Sequence, residues 1–70
     1  MEIKILPKQI WIHNKTGNTY ITCEPAIVIN ATNENDGQEM IVYHRQDTSK
    51  DGNTYVRERN EFLHKFSITE

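Results

Sequence analysis

The chain has 70 residues, of which 36% are hydrophobic and 26% are charged, and its formal net charge is −2. This length predicts a single domain with a small core, and the weak negative charge disfavours a general attraction to the phosphate backbone of DNA. The β-branched residues Ile, Val and Thr number 19, whereas the strong helix formers Leu and Ala number four. Because β-branched side chains suit the pleated surface of a sheet, this composition predicts a mostly β domain.

The cysteine content and the apolar runs indicate where such a protein resides. A single cysteine, Cys23, cannot form an internal disulfide, which excludes a secreted, disulfide-rich mini-protein. Uninterrupted apolar runs reach only four residues, as at 26–29, which is far too short for a signal sequence or a membrane span. We therefore expect a cytoplasmic protein that does not bind a membrane.

The first predicted element is a strand over 9–14. Its residues alternate, so that Ile10 and Ile12 share one face while Trp11 and His13 share the other. This alternation is typical of a strand with one face against a core.

Turn residues then divide the chain into further strands. Gly and Asn within 15–18 accept positive φ angles and predict a tight hairpin turn. A second strand is predicted over 19–32, and because Pro25 cannot donate to a ladder, a bulge, an edge position or a break is expected there. A polar stretch at 33–37 ends in Asp-Gly and predicts another turn.

The second half predicts two more strands and a helical turn. The strands cover 38–46 and 53–57, joined by a polar loop, and should pair antiparallel. Phe62 and Phe66 lie four residues apart and predict a short helical turn near 59–65 that packs over one end of the domain. Residues 67–69 are predicted to return as a terminal strand. Four or five short strands at this spacing predict a single small, strongly bent antiparallel β-barrel over 1–70.

Three sequence blocks occur in order, namely Trp11-x-His13-x-Lys15-x-Gly17-x-x-Tyr20, then Ile41-Val42-Tyr43, then Tyr55-Val56-Arg57 followed by Phe62. Together they resemble a small bacterial and phage family known only as a domain of unknown function. The resemblance spans about residues 11–66. It implies a small barrel of the Src-homology-3 type and a phage or prophage origin, and it implies no catalytic mechanism.

Candidate ligands and nucleophiles are sparse. The nitrogen and sulfur ligands are three histidines and Cys23, and they lack the spacing of a zinc site. Cys23 is interpreted either as a small buried hydrophobic residue or as a thiol activated by His13 or His44. No glycine-rich phosphate cradle is present in the sequence. We therefore predict no metal, no cofactor and no enzymatic activity.

The remaining candidate is a polar and aromatic binding face. If Ile10, Ile12, Ile41 and Val56 fill the barrel, strict alternation points Trp11 and Arg57 outward. The residues predicted to bind are Trp11, His13, Lys15, Tyr43, Tyr55 and Arg57. Aromatic and arginine side chains are enriched at binding hot spots. The alternative is that Trp11 and the tyrosines cover the core of a barrel too small to bury them fully.

Two classes of function follow from such a face. The first is a non-enzymatic phage-type or prophage-type accessory protein that binds a host protein through the aromatic and arginine side chains. The alternative is a small module that binds a nucleotide or single-stranded nucleic acid by stacking on the same side chains. The small core, the apolar strand at 40–43 and an open edge near Pro25 also favour a homo-oligomer.

Overall fold

The computed structural model describes residues 4–47 and 52–69. These residues form a single antiparallel sheet with one short helix, in the order β1 (Ile10–His13), β2 (Thr19–Ile29), a 3-10 turn (Asn33–Asn35), β3 (Glu39–Arg45), β4 (Thr54–Glu58), α1 (Arg59–Lys65) and β5 (Phe66–Ile68). The prediction of a mostly β, antiparallel fold with a short C-terminal helical turn is confirmed. The predicted polar loop before β4 lies partly outside the described residues.

The sheet curls around its core but does not close. Its strand order is β4-β3-β2-β1-β5, so the last strand returns to pair with the first. The curl brings both edges to the same ring, because Tyr55 of β4 and Phe66 of β5 lie 6.3 and 5.5 Å from Tyr20 of β2. No ladder joins β4 to β5 among the described residues. The result is an open, barrel-like sheet, consistent with the small Src-homology-3-type barrel that the resemblance implies.

Both predicted glycine turns are present. At the first hairpin Gly17 has φ +79° and its N–H donates to the His13 carbonyl at 2.8 Å. Before β3, Gly37 has φ +95° and donates to the Asn30 carbonyl at 2.6 Å. A residue with a Cβ rarely adopts these φ angles, so glycine is the residue that allows each chain reversal without strain.

A bulge bends β2 where Pro25 interrupts it. Thr22 pairs with Tyr43 and Ile27 pairs with Ile41, so the register shifts between the two pairs. The Glu24–Pro25 peptide is cis. Of the three outcomes predicted at Pro25, the structure shows the bulge, which lets one long strand serve both halves of the curled sheet.

Thr22 ties the N-terminal segment to the sheet. It is 1% exposed, and its hydroxyl accepts from Gln9 N–H at 2.8 Å and donates to the Leu6 carbonyl at 2.5 Å. The backbone adds bonds from Lys8 N–H to the Thr22 carbonyl and from Thr22 N–H to the Gln9 carbonyl. These bonds hold the segment in which Ile5 is buried against the core.

The helix begins where Glu58 caps it. The Glu58 carboxylate accepts from the N–H groups of Asn60 and Glu61 at 2.8 and 3.1 Å, which satisfies two donors of the first turn. Phe62 and Phe66 then stack with ring centroids 4.4 Å apart, and both are buried. The predicted short helix and the burial of both rings are confirmed, but Phe66 lies at the start of β5 and not in the helical turn.

The predicted assignment of faces on β1 and β4 was wrong. Trp11 is 1% exposed and packs edge-on against Phe62 at 5.0 Å, whereas Val56 is 53% exposed. Ile10 and Ile12 lie on the outer face and are half-buried, and Arg57 lies on the concave face opposite Ile41. Both faces of these strands carry apolar side chains, so alternation alone does not identify the inner one. The larger rings fill the interior and fix the choice.

The helix content bears on whether the chain can cross a membrane. Within residues 4–47 and 52–69, no helix has the length and apolar character needed to cross a bilayer.

The Thr22 hydroxyl gives a test of the N-terminal anchor. Thr22→Val keeps the side-chain shape but leaves the Gln9 N–H and the Leu6 carbonyl unpaired, so we expect the free energy of unfolding to fall by about 1–3 kcal/mol. The matched control is Thr19→Val, because the half-buried Thr19 hydroxyl makes no hydrogen bond within the described part of the chain. Urea denaturation followed by circular dichroism measures both. Equal stability of the two variants would show that the Thr22 hydroxyl does not anchor the N-terminal segment.

Candidate functional site: an aromatic cleft at the open side of the sheet

The open side of the sheet contains a small cleft between the edges formed by β4 and β5. Its volume is about 160 Å³, and it is lined by His13, Tyr20, Tyr43, Tyr55, Arg57 and Phe66. We call these six residues the aromatic cleft. They come from all five strands, so the sheet must be curled before they meet.

The pairing register explains why they share a face. Residues directly opposite in antiparallel strands point to the same side of the sheet. Tyr43 is opposite Tyr55, and His13 is opposite Phe66. These pairs therefore lie together on the concave face.

Tyr43 forms the floor of the cleft. It is 3% exposed, and its ring lies 5.4 Å from Tyr20, 5.7 Å from Tyr55, 5.2 Å from Phe62 and 5.3 Å from Phe66. Contacts at these distances are typical of aromatic pairs, each of which contributes about 0.5–1.5 kcal/mol beyond its buried area. The floor is therefore rigid, and the half-buried rings of Tyr20 and Tyr55 stand at the rim.

Arg57 supplies the positive charge of the cleft, and that charge is already compensated. Its Nε donates to the Tyr43 hydroxyl at 3.1 Å, and its Nη1 donates to the Glu61 carboxylate at 2.5 Å. The guanidinium also lies 5.8 Å from the centre of the Phe66 ring. The hydrogen bond to Tyr43 raises the pKa of Arg57, and the Glu61 carboxylate adds to the effect against the opposing influence of burial. The guanidinium stays protonated and fixed in direction.

His13 lines the cleft and His44 lies on the outer face of the sheet, and each makes a local hydrogen bond. His13 Nδ1 lies 2.9 Å from the Thr16 hydroxyl, and its ring lies 4.9 Å from that of Phe66. His44 Nδ1 lies 2.8 Å from the Arg45 carbonyl. Cys23 is half-buried at the bulge and is not among the cleft residues. The described residues contain no group of three or more His, Cys, Asp or Glu that could hold a metal ion.

Four of the six predicted binding residues meet in the aromatic cleft, namely His13, Tyr43, Tyr55 and Arg57. Trp11 does not, since it is buried beside Phe62 with its Nε1 donating to Gln9 at 3.1 Å. For Trp11 and Tyr43, burial agrees with the alternative interpretation that the aromatic residues cover the core. Lys15 is exposed in the hairpin turn and does not line the cleft.

Two cleft residues were missing from the predicted set. Tyr20 lies opposite Trp11 across the first hairpin. The hairpin turn predicted from the sequence sets this pairing register, so the sequence did contain a signal for Tyr20. Phe66 begins β5 directly after α1, and the sequence pattern that assigns it to a helical turn gives no signal that it also lines a cleft.

Comparison with known proteins adds no relative to this picture, since no family model, no curated protein and no solved structure matches the chain. The resemblance to a bacterial and phage family stays a prediction. The function is therefore inferred from the cleft itself, whose chemistry consists of ring faces, tyrosine hydroxyls, an imidazole and one compensated cation.

The bond between Tyr43 and Arg57 gives a test of the cleft's construction. Tyr43→Phe keeps the ring but removes the acceptor of a charged donor, so we expect the free energy of unfolding to fall by about 1–2 kcal/mol. Tyr20→Phe is the matched control, because the Tyr20 hydroxyl makes no hydrogen bond among the described residues, and we expect a change within about 0.5 kcal/mol. Thermal and urea unfolding measure both. A Tyr43→Phe variant as stable as the control would show that the bond does not hold Arg57.

Proposed function

We propose that this chain is a non-enzymatic binding module that holds a segment of a protein partner in the aromatic cleft. The observation that carries the proposal is the convergence of Tyr20, Tyr43, Tyr55 and Phe66 with Arg57 at the open side of the sheet. Tyrosine offers a large, rigid contact area at low cost in side-chain entropy, which is why it is common where proteins bind one another.

The size of the cleft favours a protein segment over a nucleotide. A volume of about 160 Å³ is smaller than the roughly 300–1,000 Å³ of sites that enclose small-molecule ligands. It suits the insertion of one side chain while the rest of the segment lies across the rim formed by Tyr20, Tyr55 and His13. An apolar side chain is the best match, because the walls are mostly ring faces.

The electrostatics favour the same choice. A phosphate group needs an available cation, but the guanidinium of Arg57 is already bound to Glu61 and to the Tyr43 hydroxyl. The net charge of −2 adds a further cost for long nucleic acids. Binding of a nucleotide or of single-stranded nucleic acid remains the alternative proposal, and it is weaker on both counts.

The biological setting is part of the proposal. The resemblance to bacterial and phage proteins supports a phage-type or prophage-type accessory protein that acts in the cytoplasm of a bacterial host. The partner is then a host protein with an exposed, extended apolar segment.

The proposal is tested by selecting peptides against the purified full chain. We expect a random peptide library to yield a shared motif with one apolar anchor residue. The chemical shift changes in a two-dimensional NMR spectrum should centre on His13, Tyr20, Tyr55 and Phe66. Tyr55→Ala should weaken binding of the selected peptide by about tenfold or more, as expected for an anchor contact. Thr54→Ala is the matched control on the same strand and the opposite face, and it should bind normally.

Other outcomes would contradict the proposal. Peptide shifts centred on the outer face of the sheet would place the binding site elsewhere. Binding of adenosine nucleotides or oligothymidylate at the cleft, with affinity that falls steeply as salt rises, would establish the alternative function. Circular dichroism of Tyr55→Ala confirms that lost binding does not reflect lost folding.

A further inference from the structure

Within the described residues the sheet has two edge strands, β4 with five residues and β5 with three, so β4 offers the longer edge for pairing. β4 is an edge strand that pairs with β3, and no other strand among the described residues pairs with it. Such an edge carries backbone N–H and carbonyl groups that can template a further strand. Natural proteins protect long edges with charge, proline or bulges. β4 has no proline and no bulge, and its two charged side chains, Arg57 and Glu58, are bound to Glu61 and to the N–H groups of the first helical turn.

Apolar side chains on the outer face of the sheet reach this edge. Val56 is 53% exposed and lies opposite Val42, which is half-buried. Behind this pair the outer face continues with half-buried apolar side chains, namely Ile10, Ile12, Ile21, Val28 and Met40. The apolar surface therefore ends at the edge strand and not before it.

We propose that two copies of this chain join through β4, antiparallel, with Val56 on the two-fold axis. Thr54 then lies opposite Glu58 of the second copy, Tyr55 opposite Arg57, and Val56 opposite Val56. An isologous contact of this kind needs a self-complementary strand. β4 meets this condition, because each Arg57 faces a tyrosine ring and each Glu58 faces a hydroxyl side chain.

Other registers fit less well. With Arg57 on the axis, two guanidinium groups lie directly opposite each other, which is destabilising, and fewer residues of the strand pair. With Tyr55 on the axis, pairing also covers only part of the strand. A shift by one residue sets the concave face of one copy against the outer face of the other. The register centred on Val56 pairs all five residues and keeps each face continuous.

This association also extends the aromatic cleft. Tyr55 and Arg57 both line the cleft, so Arg57 of the second copy approaches the Tyr55 rim of the first. The dimer therefore places two clefts side by side at the centre of one continuous sheet. The inference goes beyond the proposed function and does not depend on it, since it rests on strand pairing alone.

Sedimentation equilibrium of the full chain tests the association. We expect a species of twice the 8.2 kDa chain mass at tens to hundreds of micromolar. Val56→Lys places two like charges on the axis and should raise the dissociation constant by about tenfold or more. Ile29→Lys is the matched control, because Ile29 is similarly exposed at 59% but lies on β2. A wild-type chain that stays monomeric at about 1 mM, or equal effects of the two variants, would overturn the proposal.

Cysteine cross-linking tests the register and does not depend on the Lys variant folding. In a Cys23→Ser background, Val56→Cys places two thiols on directly opposed residues, whose Cα atoms in antiparallel pairs are about 4.5–5.5 Å apart. That spacing suits a disulfide, so mild oxidation should give a covalent dimer in high yield. Thr54→Cys, on the same face, lies opposite position 58 and should cross-link poorly. Equal yields, or a higher yield at position 54, would show that the proposed pairing is wrong.

Discussion

The contact between the Tyr43 ring and the four rings around it is the interaction on which the rest of this structure depends. Tyr43 lies on the middle of β3, and its neighbours come from β2, β4, α1 and the start of β5. Hydrogen bonds do not close this sheet, because its two edges do not pair within the described residues. The aromatic cluster stabilises the curled sheet instead. The Tyr43 hydroxyl also accepts a hydrogen bond from Arg57 and so fixes the position of its guanidinium.

A second constraint acts where the N-terminal end of the chain meets the core. The short segment before β1 makes no strand, yet it covers the core with Ile5, because Thr22 and Gln9 satisfy its backbone groups. Gln9 also accepts from the Trp11 indole at 3.1 Å. A buried tryptophan generally needs such an acceptor. The polar bonds at this end thus make it possible for the largest side chain of the protein to lie fully inside.

The sequence predicted the elements of the fold well because turns and strand periods are local properties. The glycine turns at Gly17 and Gly37, the bulge at Pro25 and the return of the chain after Phe62 all follow from residues close in sequence. The choice of the inner face does not. On β1 and β4 both faces carry apolar side chains, so which face is buried depends on rings from α1 and β3 that are distant in sequence. This is why Trp11 was assigned to the surface and Val56 to the core.

The candidate site, like the fold, was predicted only in part. His13, Tyr43, Tyr55 and Arg57 were selected by residue type, and the register brings them together. Their surroundings were not predictable, since the pairing of Arg57 with Glu61 depends on a helix starting directly after β4. Local sequence therefore indicated four of the six side chains that line the cleft, and tertiary packing decided how much of each is exposed.

The position of α1 has a consequence for how such a protein diversifies. Its seven residues run between the end of β4 and the start of β5, the two strands that flank the cleft. The length of this helix therefore acts as a spacer that sets the aperture between them, while every ladder of the sheet lies outside it. Gain or loss of a turn there changes the spacing between β4 and β5 and moves Phe62, while the paired residues of the sheet lie outside the changed segment. A change confined to this one connecting segment can thus alter the shape of the cleft while the pairing of the five strands is kept.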